Sequence, residues 1–281
     1  MIVIFLLAVE SSYFLQLSPG VMSGGLGGSS VTINEGLSVF HNPAYVQDAQ
    51  LNVTLSRWFY STNYLTLGAT HSDYSFGISY LNYGRIQGYD ASGNPTSVFT
   101  PYNLCVALGR RFGPAGLALK GFVEKIAEHT YYGLCGTAAL HMTYKQLCIG
   151  MKLENLGKEI SKNTTIPTFL SIGLKYNIAQ EIDVIAEAKG PRIEINSGII
   201  YSYKNLRLLA GSRYRQADNL ASASRLNVSI NDFALTGGLI IDIEDYAIGY
   251  SIIYGHLSIV HQFSLTVIPW VPDLRTIIQF S

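Results

Sequence analysis

The sequence predicts an all-β protein, a transmembrane antiparallel β-barrel of about 14 strands with an N-terminal hatch segment, or plug. Three observations support this fold class. Apolar and polar residues alternate with a period of two from about Leu51 to Ile268. Only 14% of the residues are charged, against roughly 25% in a typical soluble domain. No apolar run near a terminus approaches the ~20 residues that a spanning helix needs.

The first element is a predicted leader, residues 1–19. Its apolar stretch Ile2–Val9 resembles the core of a secretory signal peptide. The Lys or Arg that should precede such a core is missing, which a mis-assigned start or a truncated leader would explain. The alternative is that this stretch forms a buried N-terminal strand.

The second element is a glycine-rich segment, residues 20–50, which does not show strand alternation. Gly24, Gly25, Gly27 and Gly28 permit backbone angles that other residues avoid. The tripeptide Asn42-Pro43-Ala44 ends the segment, because a residue that precedes proline is pushed out of helix. We interpret the segment as a hatch on the periplasmic side of the barrel; an ordinary glycine-rich leader loop is the alternative. It is not a phosphate loop, because no Lys-Ser/Thr pair ends it.

The third element is the barrel itself, residues 51–268. In one stretch Tyr74, Phe76, Ile78 and Tyr80 fall on one face, and small or polar residues fall on the other. The predicted strands, most of them about as long as a tilted bilayer-crossing strand, are 51–58, 62–70, 73–85, 102–112, 115–127, 130–144, 146–156, 167–177, 181–189, 193–203, 205–214, 232–241, 245–253 and 258–268.

Connections between these strands alternate in length. Short turns occur on one side, whereas residues 85–101, 157–166 and 215–231 form long connections on the other, which is typical of outer-membrane barrels with long external loops. A soluble sandwich has evenly short loops and a dry apolar face. Aromatic residues at the first hairpin tip, Trp58 to Tyr60 together with Tyr64, predict an interfacial girdle there.

The last element is a tail, residues 269–281. Pro269-Trp270-Val271-Pro272 breaks the closing strand. The rest of the tail could be a further strand or a loose end.

Charged residues on the polar faces predict a ladder inside the lumen, formed by Lys120, Glu124, Lys152, Glu154 and Lys175. We expect these to be paired charges that hold the hatch or neutralise one another, and a role in solute selectivity is the alternative. A hydrophobic ligand would meet the hatch near Val31, Ile33, Leu37 and Phe40.

Several function classes have little support. The formal net charge is zero, which argues against a nucleic-acid partner. The three cysteines, Cys105, Cys135 and Cys148, have no CxxC spacing and are expected to be packing residues, so no metal site is predicted. His141 and Thr143 face the predicted lumen without a matching nucleophile and acid, and His41 is expected to be a hydrogen-bonding residue of the hatch. No enzyme activity and no cofactor are therefore predicted.

Motifs along the chain carry a family resemblance. They are Gly24–Val46 with its Asn42-Pro43-Ala44, Tyr83–Asp90 followed by Ser92–Thr96, Lys152–Gly157, and Asp245–Ala247 with His261–Leu265. In order and spacing they resemble the PorV/PorQ family of outer-membrane proteins, within the FadL (long-chain fatty acid transporter) superfamily. The resemblance covers about residues 19–268, and the tail departs from it.

The resemblance implies a bacterial outer-membrane location and outer-membrane lipid as a partner. It favours a secretion-linked, type IX-like docking or shuttle protein that contacts secreted cargo proteins or attachment-complex subunits. The alternative is a FadL-like channel for hydrophobic small molecules such as fatty acids and hydrocarbons, gated by the hatch. A second alternative is a structural barrel of the envelope.

Overall fold

The computed structural model describes residues 12–46, 49–58, 61–90, 92–162, 164–191, 193–216, 232–255 and 259–268. The predicted signal core Ile2–Val9 and the predicted tail 269–281 lie outside these residues. No helix in the described part of the chain is long and apolar enough to cross a membrane.

Strands dominate the described residues. In chain order they are β1 (Gln50–Arg57), β2 (Asn63–His71), β3 (Tyr74–Asn82), β4 (Ile86–Tyr89), β5 (Pro95–Phe99), β6 (Tyr102–Phe112), β7 (Ala115–Ile126), β8 (His129–Tyr144), β9 (Leu147–Glu159), β10 (Thr164–Thr165), β11 (Phe169–Ala179), β12 (Ile182–Gly190), β13 (Glu194–Tyr203), β14 (Leu206–Arg215), β15 (Asp232–Ile243), β16 (Tyr246–Gly255) and β17 (Ile259–Val267).

Fourteen of these strands form one closed antiparallel barrel. Each pairs with the next, and β1 pairs with β17 to close the ring. This confirms the predicted fold class, and the predicted strand ends differ from the observed ones by at most three residues. The extra strands are a separate β4–β5 hairpin in the long connection after β3, and the two-residue β10, which pairs with the end of β9.

The two ends of the barrel differ. At one end, which we name the short-turn end, two-residue turns join the strands; the first turn residue has a left-handed φ in several, including Ser72, Lys145 and Lys204, as tight hairpins require. The long connections lie at the opposite end, the long-loop end. Because the strand number is even, β1 begins and β17 ends at the short-turn end.

The outer surface of the barrel is apolar and exposed. Side chains such as Leu108, Leu119 and Ile248 are 53–62% exposed. Exposed aromatic residues at the short-turn end are Tyr74, Phe112, Tyr144, Tyr176, Tyr203 and Tyr246. Those at the long-loop end are Tyr132, Tyr214, Phe233 and Tyr254. The surface therefore has an apolar band with two aromatic girdles, as in membrane barrels.

The height of this band fits a bilayer. Tyr246 and Tyr254 lie on β16, one in each girdle. A tilted strand that rises about 3.3 Å per residue places them about 20 Å apart along the barrel axis.

The girdle predicted at the first hairpin tip is wrong for the residues described there. Tyr64 is buried in the lumen, and Trp58 packs against buried Ala234, Ile253 and Val260. Phe59 and Tyr60 lie outside the described residues.

The N-terminal segment fills the lumen. It contains a short 3-10 helix (Tyr13–Gln16), α1 (Val21–Gly25) and α2 (Ser38–His41). α1 contacts β14 to β17, and α2 contacts β2, β3 and β6, so the segment spans the barrel interior. Ser12 and Phe14 are buried, so the described residues 12–19, which the sequence assigned to the leader, lie inside the barrel with the hatch.

A β-bulge interrupts β9 at Asn155. This residue has φ 62° and is the extra residue between Glu154 and Leu156 opposite β8. Because the bulge shifts the alternation, Glu154 and Glu159 both face the lumen although they are five residues apart. The predicted strand 146–156 spans this position, but its regular two-residue period did not include the shift.

Candidate functional site

Glu35 organises the hatch. Its carboxylate accepts hydrogen bonds from the backbone N–H groups of Met22 (2.8 Å) and Ser23 (3.4 Å) at the start of α1. The same carboxylate lies 2.6 Å from Nε2 of His41, at the end of α2. One buried carboxylate therefore joins the two helices, and His41 has the hydrogen-bonding role expected of it.

The Asn42-Pro43-Ala44 turn attaches the hatch to the barrel wall at the short-turn end. The fully buried Asn42 amide donates to the carbonyl oxygens of Val31 (2.8 Å) and Leu140 (3.1 Å). Its Oδ1 accepts from the backbone N–H of Ala44 at 2.9 Å, which fixes the turn. Pro43 and Ala44 lie against Gly116 of β7, where an added Cβ would be 2.3 Å from their backbone atoms.

Three of the four predicted hatch glycines allow close contact with the wall. A Cβ at Gly24 or Gly25 would overlap Gln262 or Leu209. Gly27 has φ +73° and lies against the Ser212 carbonyl, where a Cβ would be 2.2 Å away. Gly28 also has a left-handed φ, +93°, but has room around it. Gly27 therefore combines the backbone and the steric requirement for glycine.

Three of the four predicted ligand contacts pack against the wall. Val31, Ile33 and Leu37 are 0–2% exposed. Val31 lies against Gly150 and Gly173, and Leu37 against Gly68. Phe40 differs, because it is partly exposed inside the lumen and lines an internal cavity.

Four of the predicted lumen charges are deeply buried: Lys120, Glu124, Lys152 and Glu154 are 2–9% exposed. Glu154 pairs with Lys152 at 3.0 Å and with Lys189 at 2.8 Å. Lys152 also donates to the hatch residue Ser30 at 3.3 Å.

The fifth charge, Lys175, is half-buried near the short-turn end. It is close to Tyr45 of the hatch, whose phenol has its pKa raised by burial. Tyr45 stacks on His141 with ring centroids 3.7 Å apart, and His141 contacts Cys148.

Sequence reasoning missed a contact in which a wall carboxylate holds the hatch backbone. Glu187 of β12 accepts from the backbone N–H groups of Ser30 (2.6 Å) and Val31 (3.0 Å). Thr236 of β15 forms a second contact between wall and hatch. Its hydroxyl donates to the Gly25 carbonyl and accepts from the Gly27 N–H. Nothing in the sequence indicates which lumen carboxylate meets backbone N–H groups.

Lumen-facing residues at the long-loop end form an apolar cluster. Phe14 inserts there and packs edge-on against Phe122, with ring centroids 6.0 Å apart. The buried members are Phe14, Tyr64, Leu81, Cys105, Phe122, Cys135 and Ile166. Cys105 and Cys135 are free thiols that pack in this cluster, and Cys148 is also free and buried. We name this set the outer apolar cluster.

A small polar cavity lies between residues 15–19 and the charged wall. Its volume is about 50 Å³, and Phe40, His41, Lys152 and Glu187 are among the residues that line it. That is room for one or two water molecules. In the described part of the chain, the lumen is thus packed with its own N-terminal segment, apolar at the long-loop end and charged at mid-height.

Comparisons with known proteins bear on the fold. No protein-family model matches the chain, and no curated protein matches it. Among solved structures, the Pseudomonas putida toluene transporter TodX is similar with a TM-score of 0.63 at 13% identity, over 90% of this chain and 99% of that chain. A Pseudomonas aeruginosa FadL homologue is similar with a TM-score of 0.59 at 10% identity, over 89% of this chain and 98% of that chain. The chain therefore shares the β-barrel fold of FadL-type proteins, and nothing in the comparisons supports the narrower PorV/PorQ resemblance.

Proposed function

We propose that the protein is a bacterial outer-membrane barrel that binds hydrophobic small molecules in its lumen and passes them across the membrane without enzymatic chemistry. The observation that carries this proposal is the outer apolar cluster. Lumen faces of membrane barrels are normally polar, but here Tyr64, Leu81 and Phe122 face inward at the end that external solutes would reach. An apolar pocket with nearby polar groups is the usual form of a small-molecule site.

Phe14 occupies this pocket in the present structure. Its ring is 3% exposed and takes the place that an apolar ligand would take. We infer that a ligand enters by displacing Phe14 and the adjoining Leu15 and Leu17. Release towards the short-turn end would then require the hatch to move, because Glu187 and Asn42 hold it across the lumen.

The fold comparison agrees with this choice over secretion-linked docking. One similar structure is described as a toluene transporter and another as a FadL homologue. For this chain we propose fatty acids or hydrocarbons as the substrate class.

Substitution of Phe14 tests the proposal. Burial of a Phe side chain contributes about 1.5–3 kcal/mol, so Phe14→Ala should strengthen binding of a competing hydrophobe by about ten- to a hundred-fold. The measurement is equilibrium binding of a fluorescent long-chain fatty acid, and separately of toluene, to the purified barrel in nanodiscs. Phe112→Ala is the matched control, because Phe112 lies on the outer surface.

The expected result is saturable binding to the wild type, tighter binding to Phe14→Ala and no change in Phe112→Ala. Failure of both probes to saturate the wild type and the Phe14 variant would overturn the proposal. Recovery of secreted proteins that share a C-terminal domain, with no bound hydrophobe, would instead support secretion-linked docking.

A further inference from the structure

A groove crosses the outer wall of the barrel near the short-turn end. It has a volume of about 560 Å³ and lies over β2, β3, β6 and β7. The side chains of Tyr74, Leu108, Leu117 and Leu119, which line it, point away from the lumen and are 56–62% exposed. We name it the wall groove. Its size is within the range of small-molecule sites, ~300–1,000 Å³.

Strand register arranges the outward side chains of the wall groove in two rows across the four strands. The row nearer mid-height is wholly apolar, and its members, each paired with the next, are Ala69, Phe76, Leu108 and Leu119. The row nearer the turns is paired in the same way, and its members are His71, Tyr74, Arg110 and Leu117. The two rows are two residues apart, which is about 7 Å along a strand and about 5 Å along the axis of a tilted barrel.

Arg110 places a positive charge at the turn side of the wall groove. Of the described residues that line the groove, it alone is permanently charged. Its Cζ lies 5.1 Å from the ring centroid of Tyr74 and 4.9 Å from that of Phe112. These cation–π contacts hold the guanidinium at the level of the aromatic girdle, and they leave its five N–H donors without an acceptor oxygen.

The charge of Arg110 also lacks a counter-ion from the protein. In the described part of the chain, its exposed side chain makes no hydrogen bond or ion pair. The neighbouring Arg111 differs, because its Nη2 lies 2.8 Å from Oδ1 of Asp73 and its Nη1 donates to the Val46 carbonyl of the hatch. Asp73 is therefore already paired, and the anion that complements Arg110 must come from the surroundings of the barrel.

We propose that the wall groove binds one glycerophospholipid of the leaflet at the short-turn end, with its phosphate on Arg110 and an acyl chain against the apolar row. A guanidinium can donate two parallel hydrogen bonds to a phosphate. The polar interface on each side of a bilayer is about 5–8 Å thick, which matches the offset between Arg110 and the apolar row. The inference rests on the proposed outer-membrane location, and it does not depend on which solute the lumen carries.

Counting of bound lipids by native mass spectrometry provides the test. The full chain is stripped of lipid in detergent and titrated with phosphatidylglycerol, and separately with a diacylglycerol that has the same acyl chains but no phosphate. Arg110→Gln removes the charge, and Ala69→Phe fills the apolar row without altering charge. Lys145→Gln is the matched control, because Lys145 is a cation beside a girdle ring, 5.4 Å from the centroid of Tyr144, at the same end but outside the wall groove.

The expected result is one tightly bound phosphatidylglycerol per wild-type chain. Arg110→Gln should weaken its binding by at least about tenfold and leave diacylglycerol binding unchanged, because only the charge-assisted hydrogen bonds are lost. Ala69→Phe should weaken binding of both lipids, and Lys145→Gln should change neither. Heat-modifiable migration on gels confirms that each variant is a folded barrel.

Three outcomes would overturn the proposal. They are the absence of a saturable phosphatidylglycerol in the wild type, equal affinity in the wild type and Arg110→Gln, and an equal loss in Arg110→Gln and Lys145→Gln, which would indicate a general attraction of lipid to surface cations. Failure of the transport proposal is measured separately. Binding of the fluorescent fatty acid in the lumen should be the same in the wild type and Arg110→Gln, and its absence from both would refute transport while leaving the wall groove intact.

Discussion

Asn42 is the residue at which the attachment of the hatch can be tested most directly. Asn42→Ala removes two hydrogen bonds donated by the side-chain amide, to Val31 and Leu140, and one accepted by Oδ1 from Ala44. Each contributes about 0.5–1.5 kcal/mol net, so the loss is about 1.5–4.5 kcal/mol. Because the site is fully buried, we take the middle of this range, about 3 kcal/mol.

This loss should appear as release of the hatch from an intact barrel. A change of 3 kcal/mol corresponds to about a hundred-fold larger population of the released hatch. Hydrogen–deuterium exchange measures it as a similar fall in the protection of residues 20–46, with protection of the strands unchanged. Asn34→Ala is the control, because Oδ1 of Asn34 accepts no hydrogen bond from the described residues.

Two results would refute this reasoning. One is protection of residues 20–46 in Asn42→Ala within about threefold of the wild type, which is the range of a neutral surface change. The other is an equal fall in Asn34→Ala. The hatch would then be held by its packing alone, and the hydrogen bonds of Asn42 would be incidental.

Two further predictions concern the wall and the outer loop. Gly116→Ala places a Cβ 2.3 Å from the Pro43 and Ala44 backbone and should destabilise the seated hatch by about 1–3 kcal/mol. The control is Gly121→Ala in the same strand, where the nearest contact of the added Cβ is a Leu134 methyl at 3.4 Å. This control should leave hatch protection from hydrogen exchange unchanged, and equal effects of the two substitutions would contradict the steric argument. In the β4–β5 hairpin, hydrogen bonds from the Asn94 backbone and side chain lower the pKa of Asp90. A lowered carboxyl pKa means that the turn is stabilised above the ordinary Asp pKa and loses this stabilisation as pH falls through the folded value. Asn94→Ala removes the side-chain hydrogen bond and keeps the larger backbone one, so NMR titration of the carboxyl carbon should show the Asp90 pKa rising only part of the way to its ordinary range. An unchanged midpoint would contradict the assignment.

Strand positions were predictable from the sequence because each barrel strand buries one face and exposes the other to lipid. A run such as Tyr74 to Tyr80 repeats the two-residue period several times, which fixes both the strand and its register. The β4–β5 hairpin was missed for the converse reason. It is short and largely exposed, so neither face is under selection for alternation.

Contacts inside the lumen were less predictable, because they join residues far apart in sequence. The Asn42-Pro43-Ala44 turn could be identified from its local chemistry. The pairing of Glu187 with Ser30 crosses 157 residues, and a carboxylate on a polar strand face has the same appearance whether it meets water, lysine or backbone N–H groups. Tyr64 was assigned to the wrong face of the barrel for a related reason. An aromatic residue near a strand end fits an outward girdle or an inward apolar pocket equally well.

The route of the N-terminal segment has a consequence for the order of assembly. The segment directly precedes β1, yet α1 packs on β14 to β17, which are synthesised last. Hatch residues meet the wall on nearly every side, from Leu140 to Thr236, and the β1–β17 seam is continuous over seven residue pairs. The seat of the hatch is therefore complete only when the last strands have joined the wall, and the β1–β17 seam that closes the ring also completes the contacts of the segment that precedes it.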